Sequence, residues 1–211
     1  MTTTLDLMER HKLDVLQQLF AAATHEASAA MCQWTNSLIT LTLDKIFDIP
    51  LEDVCGALNL GDELLTMVVL ALDDDFGGSM VLAFDEENGR QLAASLLGSE
   101  PDTSPQWNEM EISAINETGN ILGCAYMNAI TRLINYQLIP SPPYFIQDYG
   151  VSVVQQAILG QAASDNVLIC RTGFHHQEEE QDKTKELAWW VLFVPSVPLR
   201  DALERAIRTT A

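Results

Sequence analysis

Glu117 and Asn120 stand three residues apart in a stretch that reads as one long helix, NEMEISAINETGNILGCAYMNAITRLIN, from Asn108 to Asn135. At about 100° per residue, Ser113, Glu117 and Asn120 fall within roughly 60° of one another on the helix surface. A carboxylate and a carboxamide are therefore expected side by side, one turn apart. The carboxamide offers both a donor and an acceptor to a single water. Ala114, Thr118, Ile121, Leu122, Ala125 and Ala129 lie on the neighbouring side and read as the core face. Gly119 and Gly123 flank Asn120, where Ala would favour a helix by about 1 kcal/mol each. That cost predicts a close approach to the backbone at this point.

Ser113, Glu117, Asn120 and Pro143 together make a four-point pattern: Ser, three residues, Glu, two residues, Asn, twenty-two residues, Pro. A Glu and an Asn on an exposed helix face are by themselves common and read as solvated surface. The full pattern, within the text ETGNILGCAYMNAI, is far more specific. It resembles the active-site signature of the CheC/CheX/FliY family, phosphatases of phosphorylated receiver domains, in which the first position is Asp or Ser. By that resemblance Asn120 orients the water that attacks an aspartyl phosphate, and Glu117 docks the receiver through its active-site lysine. Ser113 and Pro143 support the docking face and shape the adjoining loop, while Gly119 and Gly123 clear space for the partner. Mg²⁺ is expected to arrive with the phosphorylated CheY-type receiver, and no cofactor or metal is expected of the chain itself. The resemblance leaves a second reading open, an adaptor with little or no catalysis that binds a CheD-type deamidase or a receiver. A flagellar-switch role of the FliY kind is expected to need a further C-terminal switch domain, for which the residues up to Ala211 leave no room.

The elements that must position these residues fall into two similar halves, about 10–98 and 108–208, joined by a Ser-, Pro- and Asp-rich linker, 99–107. The first half predicts a helix from Lys12 to Trp34, strands at Leu38–Leu43 and Leu64–Leu72, a turn at DDDFGG, a strand at Ser79–Phe84 and a short helix from Asn88 to Leu97. The second predicts the motif helix, a partly extended connection through Pro140, Pro142 and Pro143, and a helix at Val151–Leu159. Strands at Val167–Thr172 and Leu187–Val194 follow, then a closing helix at Leu199–Ile207. An offset of 99 lays Asp14 on Ser113, Gln18 on Glu117 and Ala21 on Asn120; Asp44 stands where Pro is expected. Later elements match at an offset of 110, with Val81-Leu82 on Val191-Leu192. By the resemblance, the fold is a single α/β (α+β) domain over 1–211, pseudo-twofold, with long helices on a shared, mostly antiparallel sheet. Ala21 has no hydrogen-bonding side chain, so the first helix is expected to be silent and the second to hold the one working site.

Composition narrows the partners. With 30 acidic and 11 basic residues, the net charge of −19 opposes nucleic-acid backbones and anionic membranes. Cys32, Cys55, Cys124 and Cys170 are scattered, and three of them read as packed, reduced thiols. Charges stand in the first twelve residues where a signal peptide would be apolar, and Leu187–Val197 is too short to span a bilayer, so a cytoplasmic location is expected. His175-His176 and the acidic run 178–182 read as an exposed loop, His25 as a surface residue, and one of Trp189 and Trp190 as core.

Overall fold

The computed structural model describes residues 4–35, 39–58, 64–72, 77–150, 152, 166–177 and 184–210. In chain order these form α1 (Thr4–Trp34), β1 (Ile39–Pro50), a 3-10 turn (Leu51–Asp53), α2 (Val54–Ala57), β2 (Leu64–Ala71), β3 (Gly78–Asp85) and α3 (Glu86–Leu97). The second half supplies α4 (Glu109–Ile134), β4 (Tyr144–Tyr149), β5 (Asn166–Gln177), β6 (Thr184–Pro195) and α5 (Val197–Thr210). The six strands make one sheet in the order β1-β5-β6-β3-β2-β4, with every neighbouring pair antiparallel. β3 and β6 meet at the centre. Outward from them, β2 and β5 hold equivalent places, and the two edge strands are exchanged between halves: β1 pairs with β5, and β4 with β2. The architecture is mixed α/β with a pseudo-twofold arrangement. Among the described residues, no helix is long and apolar enough to cross a membrane.

Both long helices pack on one face of the sheet. Leu16, Phe20 and Met31 of α1 join Ile115, Tyr126 and Ile130 of α4 over Val68, Leu82, Val191 and Phe193. The alternate residues, among them Met67, Val69, Val81, Leu192 and Val194, form a second core against Val54 and Leu58. Successive strand residues point to opposite faces, which is how one sheet serves two cores. Trp189 is buried between Phe84 and Phe174, with ring centroids 4.4 and 4.0 Å away. Trp190 turns to the other face, where the Arg171 guanidinium lies 5.7 Å from its ring.

The helix offset of 99 lays buried Leu16, Phe20, Ala23, Thr24, Ala27 and Met31 onto buried Ile115, Gly119, Leu122, Gly123, Tyr126 and Ile130. The strand offset of 110 does not survive. Leu82 pairs with Val191 on the helix-covered face, and Val81 with Leu192 on the opposite one. Matching Val81 to Val191 therefore exchanges the faces, and an offset one residue shorter or longer is required. β1 also runs on to Pro50 rather than ending at Leu43, because a register shift between Leu43 and Lys45 interrupts the alternation that would mark it. His175 belongs to β5 rather than to a loop, and its Nε2 lies 2.8 Å from the Thr42 hydroxyl. Trp34 ends α1 exposed. The helix expected at 151–159, apart from Ser152, and the acidic run 178–182 lie outside the described residues.

The close approach expected at Gly119 and Gly123 comes from the sheet, not from a partner. A Cβ on Gly119 would meet Val68 Cγ1 at 2.5 Å, and one on Gly123 would meet Leu70 Cδ2 at 2.7 Å. Both glycines are buried, so the reading that they clear room for a docking protein is corrected. They let α4 settle onto β2. Helix propensity alone would make Gly119→Ala stabilising by about 1 kcal/mol, but overpacking against a β-branched neighbour costs about 1–3 kcal/mol. Urea unfolding is expected to show Gly119→Ala as destabilising, and the same substitution as less costly, or stabilising, in a Val68→Ala background. An unchanged cost in that background would show that Val68 is not the obstacle.

Candidate functional site

The motif helix α4 is fixed at its start before it reaches the motif. Asn108 caps it: the side-chain Oδ1 accepts from the backbone N–H groups of Met110 and Glu111, both at 3.0 Å. Glu111 returns a bond, its Oε2 accepting from the Asn108 N–H at 3.0 Å, which completes a capping box. The same carboxylate pairs with Arg90 of α3 at 2.8 Å, with both side chains almost wholly buried. Arg90 also donates to the Ser104 carbonyl at 2.8 Å and lies 4.2 Å from the Trp107 ring. The segment 99–107, read from the sequence as a linker, is thus tied to α3 at Ser104 and Trp107. Trp107 in turn packs on Phe145 of β4, at 5.1 Å between ring centroids.

Beyond α4 the chain turns back. Asn135 adopts the left-handed conformation, φ 52°, and closes the helix with its N–H on the Thr131 carbonyl. Residues 139–143 then run alongside the helix. Three prolines leave Ser141 as the one backbone N–H donor in 140–143, and it donates to the Ala71 carbonyl at the end of β2, at 2.8 Å. The Ser141 hydroxyl accepts from the Ala71 N–H at 3.0 Å and donates to the Pro142 carbonyl. Pro140 bridges to Leu72. This stretch is a rigid wall.

Between α4 and that wall lies an open cleft of about 760 Å³. Ser113, Glu117, Asn120 and Pro143, singled out on spacing alone, all line it. Ser113 and Glu117 are exposed, and Asn120 and Pro143 are half-buried. Gly119 and Gly123 face the other way, onto β2. The twenty-two residues between Asn120 and Pro143 are the length needed to finish the helix and return beside it. The corresponding residues of α1, Asp14, Gln18 and Ala21, are exposed as well.

The cleft holds residues that the spacing argument passed over. Asn116 and Cys124 stand one turn before and one turn after Asn120, and Ile112, Ile139, Pro140 and Pro142 supply apolar lining. The Cys124 thiol donates to Asn120 Oδ1 at 3.7 Å. Partial desolvation, and then the negative charge of Glu117, pushes this thiol above its ordinary pKa. Cys124 is exposed, contrary to the reading of scattered cysteines as packed thiols; Cys170 fits that reading, being fully buried with its pKa raised by desolvation. A four-residue spacing from Asn120 in either direction was the signal that would have found Asn116 and Cys124.

Comparison with known proteins fits this geometry. No family model matches the chain. The "Putative CheY-P phosphatase CheC1" of Halobacterium salinarum is 25% identical over 158 residues, 75% of this chain and 78% of that protein. The CheY-P phosphatase CheC of Bacillus subtilis is 22% identical over 179 residues, 83% of this chain and 85% of that protein. Among solved structures, Thermotoga maritima FliY shares the fold with a TM-score of 0.70 at 13% identity, covering 95% of this chain and 97% of its own. In sequence and in fold the chain is similar to members of the CheC/CheX/FliY family.

The anchoring of α4 makes a prediction. Glu111→Ala leaves the Arg90 guanidinium buried without its carboxylate and opens the capping box, which costs about 3–5 kcal/mol. Glu109→Ala, on the exposed side of the same turn, costs under about 1 kcal/mol. Chemical denaturation of the two variants beside the parent chain measures the difference, and similar losses would show that the buried pair is not what holds the helix start.

Proposed function

We propose that this chain hydrolyses the aspartyl phosphate of a CheY-type receiver domain, using one site on α4. The observation that supports this best is the convergence of Ser113, Glu117, Asn120 and Pro143 on one open cleft. The names of the Halobacterium salinarum and Bacillus subtilis relatives agree with the reading.

Phosphoryl transfer to water asks chiefly for positioning and for stabilisation of charge in the transition state. In this reading the receiver brings the aspartyl phosphate, its Mg²⁺ and a lysine. Asn120, near the middle of α4, enters the receiver's active site and holds the attacking water in line with the bond that breaks. Its amide donates one hydrogen bond to that water and accepts another. Glu117, one turn back, meets the lysine and fixes the depth of docking. Ser113 and the proline wall bound the surface on which the receiver rests.

On α1 the same positions are held by Asp14, Gln18 and Ala21. Ala21 cannot hold a water, and Gln18 cannot pair with a lysine as a carboxylate does. The first half therefore contributes packing and no chemistry.

The decay of a phosphorylated CheY-type receiver tests this directly. The parent chain is expected to accelerate decay, and Asn120→Ala to lose most of that acceleration, about tenfold or more. Adding Ala21→Asn to Asn120→Ala is expected to leave the protein inactive, because Gln18 and Asp44 still stand where Glu and Pro are needed. Failure of the parent chain to accelerate decay of any receiver from the same cell would overturn the reading in favour of a binding module. Full activity in Asn120→Ala would remove the site from α4.

A further inference from the structure

Resting on the phosphatase reading, we propose that Cys124 is a positioning residue for Asn120, its thiol hydrogen holding the carboxamide in the orientation that presents both halves of the amide to the water. A cysteine one turn past a polar residue has a bland explanation as filler, and the protein itself provides the contrast. Thr24, Thr35, Ser95 and Thr118 all sit in or at the end of a helix, and each donates its hydroxyl to the backbone carbonyl four residues earlier, those of Phe20, Met31, Gln91 and Ala114. That is the usual resting place for such a donor. Cys124 instead donates to the side chain four residues earlier, Asn120 Oδ1, at 3.7 Å and within the cleft.

The consequence follows from the symmetry of a carboxamide. Its oxygen and nitrogen exchange places on a half-turn about the last side-chain bond, and a free Asn samples both arrangements. A donor beneath the amide favours the arrangement with Oδ1 towards Cys124. Nδ2 then takes the other side, and it has no hydrogen-bond partner among the described residues. Oδ1 keeps a second lone pair. The amide can still donate to and accept from one water, now from a single orientation. A thiol is a weak donor, but choosing between two orientations requires little energy. Partial desolvation and the nearby Glu117 carboxylate both disfavour the thiolate, which favours the form that donates.

Two substitutions and two measurements test this. Cys124→Ala removes the donor, and Cys124→Ser replaces it. Catalysed receiver dephosphorylation is expected to show kcat about threefold or more lower in Cys124→Ala with KM unchanged, and kcat restored to within about twofold in Cys124→Ser. Nitrogen-15 NMR of the Asn120 side-chain amide, identified by its disappearance in Asn120→Asp, is expected to show the pair of signals displaced in Cys124→Ala and returned towards their parent positions in Cys124→Ser. Unmoved amide signals in Cys124→Ala would overturn the proposal, as would an unchanged kcat. A change confined to KM would make Cys124 a docking contact instead, and equal losses in Ala and Ser would reduce it to packing. If the parent chain fails to accelerate decay, the phosphatase reading falls, and the amide signals still decide whether the thiol holds Asn120.

Discussion

Strand β2 is the reference from which both walls of the cleft are set. Val68 and Leu70 fill the space that side chains at 119 and 123 would need, so α4 rests directly on the strand. Ala71, next along, exchanges hydrogen bonds with the backbone N–H and hydroxyl of Ser141 and fixes the proline wall. Asn120 and Pro143 are thus held to consecutive stretches of one buried strand. A cleft built this way has little freedom to open or close at its base.

The two halves of the molecule differ at this contact. Phe20 and Thr24 of α1 stand where α4 has Gly119 and Gly123. Phe20 packs edge-on against Tyr126, 5.2 Å between centroids, and the Thr24 hydroxyl lies 2.9 Å from the Tyr126 hydroxyl. Bulk in α1 and its absence in α4 are complementary: Phe20 reaches both Tyr126 of α4 and Phe193 of β6, while α4 comes down onto β2 at its two glycines. Arg132 and Glu26, 2.8 Å apart, join the helices on their exposed side, where an ion pair adds little energy. The different residues at positions 14, 18 and 21 of α1 are therefore accompanied by different packing, and an Asn placed at position 21 would stand on a helix with different neighbours.

The approach to the site is strengthened by the buried Arg90–Glu111 pair, a single carboxylate serving both as helix cap and as ion-pair partner. Such a pair is an uncertain source of net stability, since desolvation opposes the attraction. Its geometry is specific, however. Arg90 binds α3, the 99–107 segment and the start of α4 together, and Trp107 carries the connection to β4. These contacts fix the start of the helix that carries Asn120.

The sequence by itself determined the motif and its helix, because those depend on local spacing, and it reached the fold class through the resemblance that the motif carries. Helical periodicity puts Ser113, Glu117 and Asn120 on one face whatever surrounds them, Asn108 and Asn135 bound the helix chemically, and turn residues separate the strands. It also signalled that something lies close to Gly119 and Gly123, since a glycine in mid-helix carries a cost. Only the tertiary structure decided what that something is, for Val68 and Leu70 lie some fifty residues away and no local pattern connects them. The same holds for the face on which each strand residue points. An offset wrong by one residue looks as hydrophobic as the right one where β3 and β6 are apolar on both sides, and pairing across the sheet alone distinguishes them. Cys124 became visible for a related reason: the sequence shows a thiol four residues from Asn120, but whether it turns to the backbone or to the amide depends on the cleft that folding builds around it.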